Sequence, residues 1–154
     1  MRLALALALL MATAAPAQQL TVAPDAVARI IPTLVQAINA ARAGHGLPPL
    51  ARDTALDNAA GYHAQDMARH GYLDHRSRDG RTSGERMRAA GYAWCMAAEN
   101  IAFGQEDVTE TVAAWLRSRA HRENILNPDA THSGAAFAVA DGRPYWVAVF
   151  AAPC

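Results

Sequence analysis

The chain opens on an unbroken apolar block, passes into a helical rhythm and closes on strand-like alternation. Leu3 to Met11 is hydrophobic throughout, follows Met1-Arg2, and leads into the small residues Ala15-Pro16-Ala17. A charged start, a short apolar core and a small-residue cleavage pattern predict a secretory signal peptide over residues 1–17. The run falls short of the about 20 apolar residues that span a bilayer, so no integral membrane span is expected in the mature chain.

Beyond it, Pro24-Asp25 opens a segment in which Val27, Ile30, Ile31, Leu34 and Ile38 recur at helical spacing, up to Gly44 and Gly46. Pro32 inside this run predicts a kink or a later start. Leu47-Pro48-Pro49-Leu50 predicts an extended connector, because proline restricts itself and its predecessor. Asp53 or Thr54 can cap a second helix with the stripe Leu56, Ala59, Ala60, His63 and Met67, closing before Gly71. Thr82 or Ser83 caps a short third helix through Arg88 to Gly91, with Glu85 in its first turn. A fourth starts near Asp107 and carries Val108, Val112, Trp115 and Leu116 on one face.

The end of the chain reads as strands. Ala135 to Ala140 and Tyr145 to Ala151 flank Asp141-Gly142-Arg143-Pro144, a hairpin-like connection. In Tyr145 to Phe150 both alternating sets are apolar, so this strand is expected to be covered on both sides. With Tyr92 to Phe103 as a further strand, the economical α+β arrangement is a small central antiparallel sheet flanked by helices, one domain over residues 18–154.

Fourteen basic residues, all arginine, balance fourteen acidic ones. No broad basic face is available for nucleic acid. Two cysteines, Cys95 and Cys154, in a chain expected to be exported point to a disulfide between the C-terminus and the middle of the chain; the alternative is two buried thiols. A loop of that size contributes roughly 3 to 5 kcal/mol.

Against this background four polar residues stand out: His75 in a loop after the second helix, Glu85 at the start of the third, Glu99 at the end of the middle strand, and His121 after the fourth helix. Each comes from a different element, as in a site assembled in three dimensions. Two imidazoles can hold zinc or another divalent metal, and two carboxylates can complete the shell, orient the histidines or activate water. The spacing itself is a weak signal, without HExxH or a clustered Cys/His motif.

Other residues invite competing readings. His63 with Asp66 and His70 mimics a metal cluster, although core packing or solvent exposure is the commoner fate of such a set. Ser77 and Ser118 lie near the two histidines in sequence, but no GxSxG elbow accompanies them, and Ser118 reads as a hydrogen-bonding helix-end residue. Trp94, Trp115 and Trp146 read as core; Tyr72 and Tyr92 lie near the site segments.

From about Ile38 to Phe150 the chain resembles the CAP superfamily of cysteine-rich secretory, antigen 5 and pathogenesis-related 1 proteins. The matching segments occur in family order: NAARAGHGLPPLARDTAL (Asn39 to Leu56), MARHGYLDH with His75, GERMRAAGY with Glu85, AENIAFG with Glu99, WLRSRAHRENIL with His121, and YWVAVF. Its short form, with few cysteines, is similar to the bacterial secreted, SCP-like branch. The resemblance implies a three-layer α/β/α sandwich in which His75, Glu85, Glu99 and His121 form the family's cavity tetrad, with His75 and His121 holding a divalent metal, zinc first. Family members are variously lipid or sterol binders, signalling or defence proteins and, in a few cases, proteases, so no single reaction follows from the fold.

The leading expectation is a secreted or periplasmic binding domain whose cavity takes a metal, a small ligand, a lipid or an envelope component. The rival is a metal-dependent, peptidase-like hydrolase in which Glu99 or Glu85 is the catalytic base. A purely structural envelope protein is the third.

Overall fold

The computed structural model describes residues 24–154, with side chains from residue 29 onward. The signal peptide expected over residues 1–17 lies outside the described residues. In chain order the elements are α1 (Pro24–Ala43), β1 (Ala51–Arg52), α2 (Thr54–His70), α3 (Ser83–Ala89), β2 (Trp94–Phe103), α4 (Val108–Arg117), α5 (Arg119–Ile125), β3 (His132–Ala140) and β4 (Arg143–Pro153).

Local chemistry sets most of these boundaries. Asp53 caps α2 by accepting from the amides of Ala55 and Leu56, and Gly71 ends it in the left-handed conformation at φ 64°. Thr82 and Glu85 form a reciprocal capping box on α3. Asp107 caps α4 through the Glu110 amide. The β3–β4 connection is a two-residue turn, Asp141 and Gly142, with φ of 50° and 73°. Positive φ at both positions matches the right-handed twist of a tight hairpin.

Four strands form one sheet in the order β1-β3-β4-β2. The three long strands pair antiparallel, as expected. The sheet is nonetheless mixed, because Ala51–Arg52, between the segments read as connector and cap, adds parallel to β3 at His132 and Ser133. β4 is covered on both sides. Trp146, Ala148 and Phe150 pack with Leu34, Val35, Ile38, Val112, Trp115 and Ile125, whereas Val147, Val149 and Ala151 pack with Leu56, Ala60, Met67 and Met87. Helices on both faces of the sheet make the three-layer α+β sandwich. Among the described residues no helix is long and apolar enough to cross a membrane.

In α1 a later start after Pro32 does not occur, and a fifth helix, α5, is added. α1 begins at Pro24 and continues through Pro32. A proline there costs about 3 kcal/mol, offset by the burial of Leu34, Val35 and Ile38 in the next turns. The segment after α4 is a separate helix, α5, and it carries His121. Arg42, fully buried, holds the far end of α5 by donating to the carbonyls of Ile125 and Asn127, and also reaches those of Pro48 and Ala130.

The two cysteines form the disulfide Cys95–Cys154, with Cα atoms 4.9 Å apart. It fastens the chain end beside the start of β2, which removes the two-thiol alternative.

Candidate functional site

β2 is an edge strand, and its unpaired side is where the site is built. Side chains take up its outward carbonyls: Trp115 Nε1 donates to Ile101 O at 3.1 Å and Asn124 Nδ2 to Glu99 O at 3.2 Å. An edge covered in this way does not recruit another strand there. Glu99 sits in the middle of β2, not at its end, and pairs in register with Val149.

The Glu99 carboxylate is buried and committed at both oxygens. Oε1 accepts from His75 Nδ1 at 2.9 Å, and Oε2 accepts from Arg86 Nη2 at 2.5 Å. This hydrogen bond, partly opposed by burial, raises the His75 pKa above its ordinary value. With Nδ1 held, Nε2 is the ring nitrogen left for a ligand, the arrangement in which a carboxylate orients a metal-binding imidazole.

The loop between α2 and α3, which carries His75, is fixed from three directions. Arg86 Nη1 donates to His75 O at 3.1 Å, Arg81 O at 2.9 Å and Ser77 Oγ at 2.8 Å. His63, fully buried on α2, bonds through Nε2 to Asp74 O at 2.8 Å and approaches Ser77 Oγ through Nδ1 at 3.4 Å. Burial pushes the His63 pKa down, so the neutral ring bridges the loop. Asp66 accepts from the Tyr72 hydroxyl and, at 2.9 Å, from the Arg78 amide, and it pairs with His70 at 3.0 Å.

His121 is half-buried on α5. Burial first, then the neighbouring charge of His75, lowers its pKa. That favours the neutral imidazole, the form that ligates a metal. Glu85 behaves differently: it is exposed, and its Oε2 accepts from both the amide and the hydroxyl of Thr82 at 2.8 Å. Those two bonds hold its carboxyl below the usual range. An open cleft of about 280 Å³ is lined by Asp74, His75, Arg76, Thr82, Ser83 and Glu99, with His121 and Glu85 outside its lining.

The structure thus links His75 directly to Glu99, while Glu85 is engaged in its own helix cap. Among the described residues no three His, Cys, Asp or Glu side chains converge into a metal-holding group. The donors do not fit a closed four-protein-ligand shell; the His75 side chain is 57% exposed and open to solvent. The set His63, Asp66 and His70 is no cluster either, since His63 turns to the Asp74 carbonyl while Asp66 pairs with His70.

Arg86 and His63 are the residues that sequence reasoning undervalued. Arg86 sits one residue after Glu85 in a helix whose exposed partner drew the attention. His63 lay on an apolar stripe and read as packing, but its position eleven residues before Asp74 gave no hint of the bond between them. Ser77 is a buried acceptor for Arg86. Ser118 is corrected too: it joins α4 to α5 without a side-chain capping bond. Trp115 and Trp146 are core, whereas Trp94 is half-buried beneath the Arg88 guanidinium, 4.1 Å from the ring centroid.

Comparison with known proteins follows the same outline. Residues 35–150 match the family model described as CAP, the cysteine-rich secretory protein family. The chain is 39% identical over 126 residues to the protein YkwD of Bacillus subtilis, an alignment covering 82% of this chain and 49% of that one. It superposes with a TM-score of 0.73 and 31% identity on an extracellular SCP-domain protein of Bacillus anthracis, over 85% of this chain and 44% of that chain. An outer surface protein of Borrelia burgdorferi has the same fold, with a TM-score of 0.74 and 23% identity over 80% of this chain and 92% of that one. The chain spans about half the length of YkwD and less than half of the Bacillus anthracis protein. By sequence and fold together, the chain belongs to the CAP, or cysteine-rich secretory protein, family.

Proposed function

We propose that the protein is an exported binding module in which His75, at the cleft, and His121 together present a divalent metal, zinc first, or a small polar ligand. The observation that carries this reading is the state of Glu99. Each of its oxygens accepts from a neighbour, Oε1 from His75 and Oε2 from Arg86, in a buried setting, so its carboxylate is engaged in orienting one imidazole and in a buried ion pair. A general base must reach the proton it removes. The hydrolase reading through Glu99 loses support for that reason, and Glu85 is spent on the Thr82 cap.

When bound, a divalent metal would supply a Lewis-acidic anchor for an oxygen or nitrogen of the partner molecule, with the remaining coordination positions open to it. Export is supported by the signal-like start of the sequence and by relatives described as extracellular or outer-surface proteins. A partner from the cell envelope fits that setting.

The test is calorimetric titration of Zn²⁺ into the wild type, His75→Ala and His121→Ala. Binding to the wild type that is strongly weakened, yet still measurable, in both variants is the expected result. No zinc affinity in the wild type, or affinity indifferent to both substitutions, removes the metal reading. Peptide hydrolysis that needs Glu85 would restore the hydrolase.

A further inference from the structure

Both histidines of the proposed site are fastened to neighbouring residues of one strand. Glu99 holds His75 through its side chain, Nδ1 to Oε1 at 2.9 Å. The next residue, Asn100, donates from Nδ2 to the carbonyl of His121 at 3.0 Å. Asn124, three positions after His121 on α5, closes the link from the other side, donating to Asn100 Oδ1 at 2.9 Å and to Glu99 O at 3.2 Å. Successive side chains in a strand point to opposite faces. Glu99 therefore acts toward α2 and α3, and Asn100 toward α5.

α5 needs such a tie. It has seven residues and no side-chain cap at its start, and helices of that length do not persist on their own. Arg42 grips the end at Ile125 O; the turn bearing His121 is tied by the exposed bond from Arg122 Nη1 to Leu116 O at 3.1 Å and, on its buried side, by Asn100. Asn100 is completely buried, so its amide was removed from water in order to make these bonds and would be costly to leave without them.

We propose that Asn100 and Asn124 are positioning residues that set His121 against His75, so that the dipeptide Glu99-Asn100 is one bracket for both imidazoles. This rests on the reading of His75 and His121 as the ligand pair. The amide is the side chain the position requires, because one group must donate to the His121 carbonyl and accept from Asn124 at the same time. Aspartate at position 100 would turn a carboxylate oxygen toward that carbonyl.

The experiment is zinc titration of Asn100→Ala, Asn100→Asp and Asn124→Ala beside His121→Ala and the double variant Asn100→Ala/His121→Ala. Affinity should fall about 10- to 100-fold in each of the asparagine variants, the range for residues that orient a ligand. In the double variant the Asn100 substitution should add nothing, since it acts through His121. Thr111→Val, which removes a buried hydroxyl bond within α4, controls for lost stability and should bind zinc as the wild type does. Affinity within twofold of wild type in folded Asn100 variants, or full additivity with His121→Ala, overturns the proposal. Should Asn100→Ala fail to fold, Asn124→Ala carries the same comparison. If the wild type binds no zinc, the ligand-pair reading falls and the bracket is judged by hydrogen exchange instead. Faster exchange of the Arg122 and Leu126 amides in Asn100→Ala then supports it, and unchanged protection sinks it.

Discussion

Arg86 Nη2 lies 2.5 Å from Glu99 Oε2, with both side chains 2% exposed. A pair so thoroughly removed from water is expensive to break from one side, because the survivor remains a buried, uncompensated charge. Glu99→Gln should therefore destabilise the fold by about 3 kcal/mol, measured by urea unfolding, besides weakening zinc binding through His75. Arg86→Met should be similarly harmful. The double variant Arg86→Met/Glu99→Leu should be less destabilised than the sum of the singles. Additive losses would show that the two groups do not depend on each other. One practical consequence is that lost activity in Glu99→Gln cannot be assigned to chemistry until its stability is known.

Neither cysteine of the disulfide lines the cleft. Cys95 and Cys154 are 59 positions apart, and a cross-link closing a loop of that length is worth about 4 kcal/mol by the chain-entropy estimate. Cys95→Ser/Cys154→Ser should lower unfolding free energy by about 2 to 4 kcal/mol while leaving zinc affinity unchanged. β2 and β4 already pair at this end, from Trp94 opposite Pro153, so the strands should stay in register without the bridge. A changed zinc affinity in the folded variant would contradict this separation of the bridge from the site.

What could be read from the sequence divides along physical lines. Asp53, Thr82 and Asp107 announced their helices because capping is local chemistry, and the doubly apolar Tyr145 to Phe150 announced a strand buried on both faces. α5 was missed because RAHRENI has no apolar stripe; only Ile125 in it is buried, and its place depends on Asn100 and Arg42 from elsewhere in the chain. The two residues of β1 were missed because pairing of that length is decided by β3 and not by Ala51-Arg52. In the site, His75 and Glu99 were identifiable as candidates. The hydrogen bond that joins them crosses 24 positions, and Arg86 looked like one more arginine in a segment rich in them.

The acid limit of stability should be set partly by Asp66. Burial opposes its ionisation, but the bonds from Tyr72, the Arg78 amide and His70 together outweigh that and lower its pKa. A depressed carboxylate binds fewer protons in the folded state than in the unfolded one. Its stabilisation is therefore complete above the ordinary carboxylate range and is lost as pH falls through the folded value. Asp66→Asn should reduce stability at neutral pH by about 1 to 3 kcal/mol and flatten the decline below about pH 4. Urea midpoints measured across pH 2 to 7 check both parts, and an unaltered acid slope would count against Asp66 as a source of it.

Gly134 and Gly84 offer a graded test of how the layers are spaced. A Cβ at Gly134 would overlap the backbone of Leu56 and Asp57 at the start of α2, whereas one at Gly84 would meet the ring of Trp94. Backbone in a packed helix cannot step aside, so Gly134→Ala must push α2 off the sheet, and α2 carries His63 beneath the His75 loop. The Trp94 ring is half-buried and can swing, at the cost of its bond to Gly84 O at 2.8 Å. Overpacking costs typically about 1 to 3 kcal/mol. Gly134→Ala should lie at or beyond the upper end of that range and Gly84→Ala near the lower. Thermal unfolding of the two variants side by side gives the order. A Gly134→Ala protein as stable as the wild type would mean that α2 and β3 are not in the close contact that sets the height of His63.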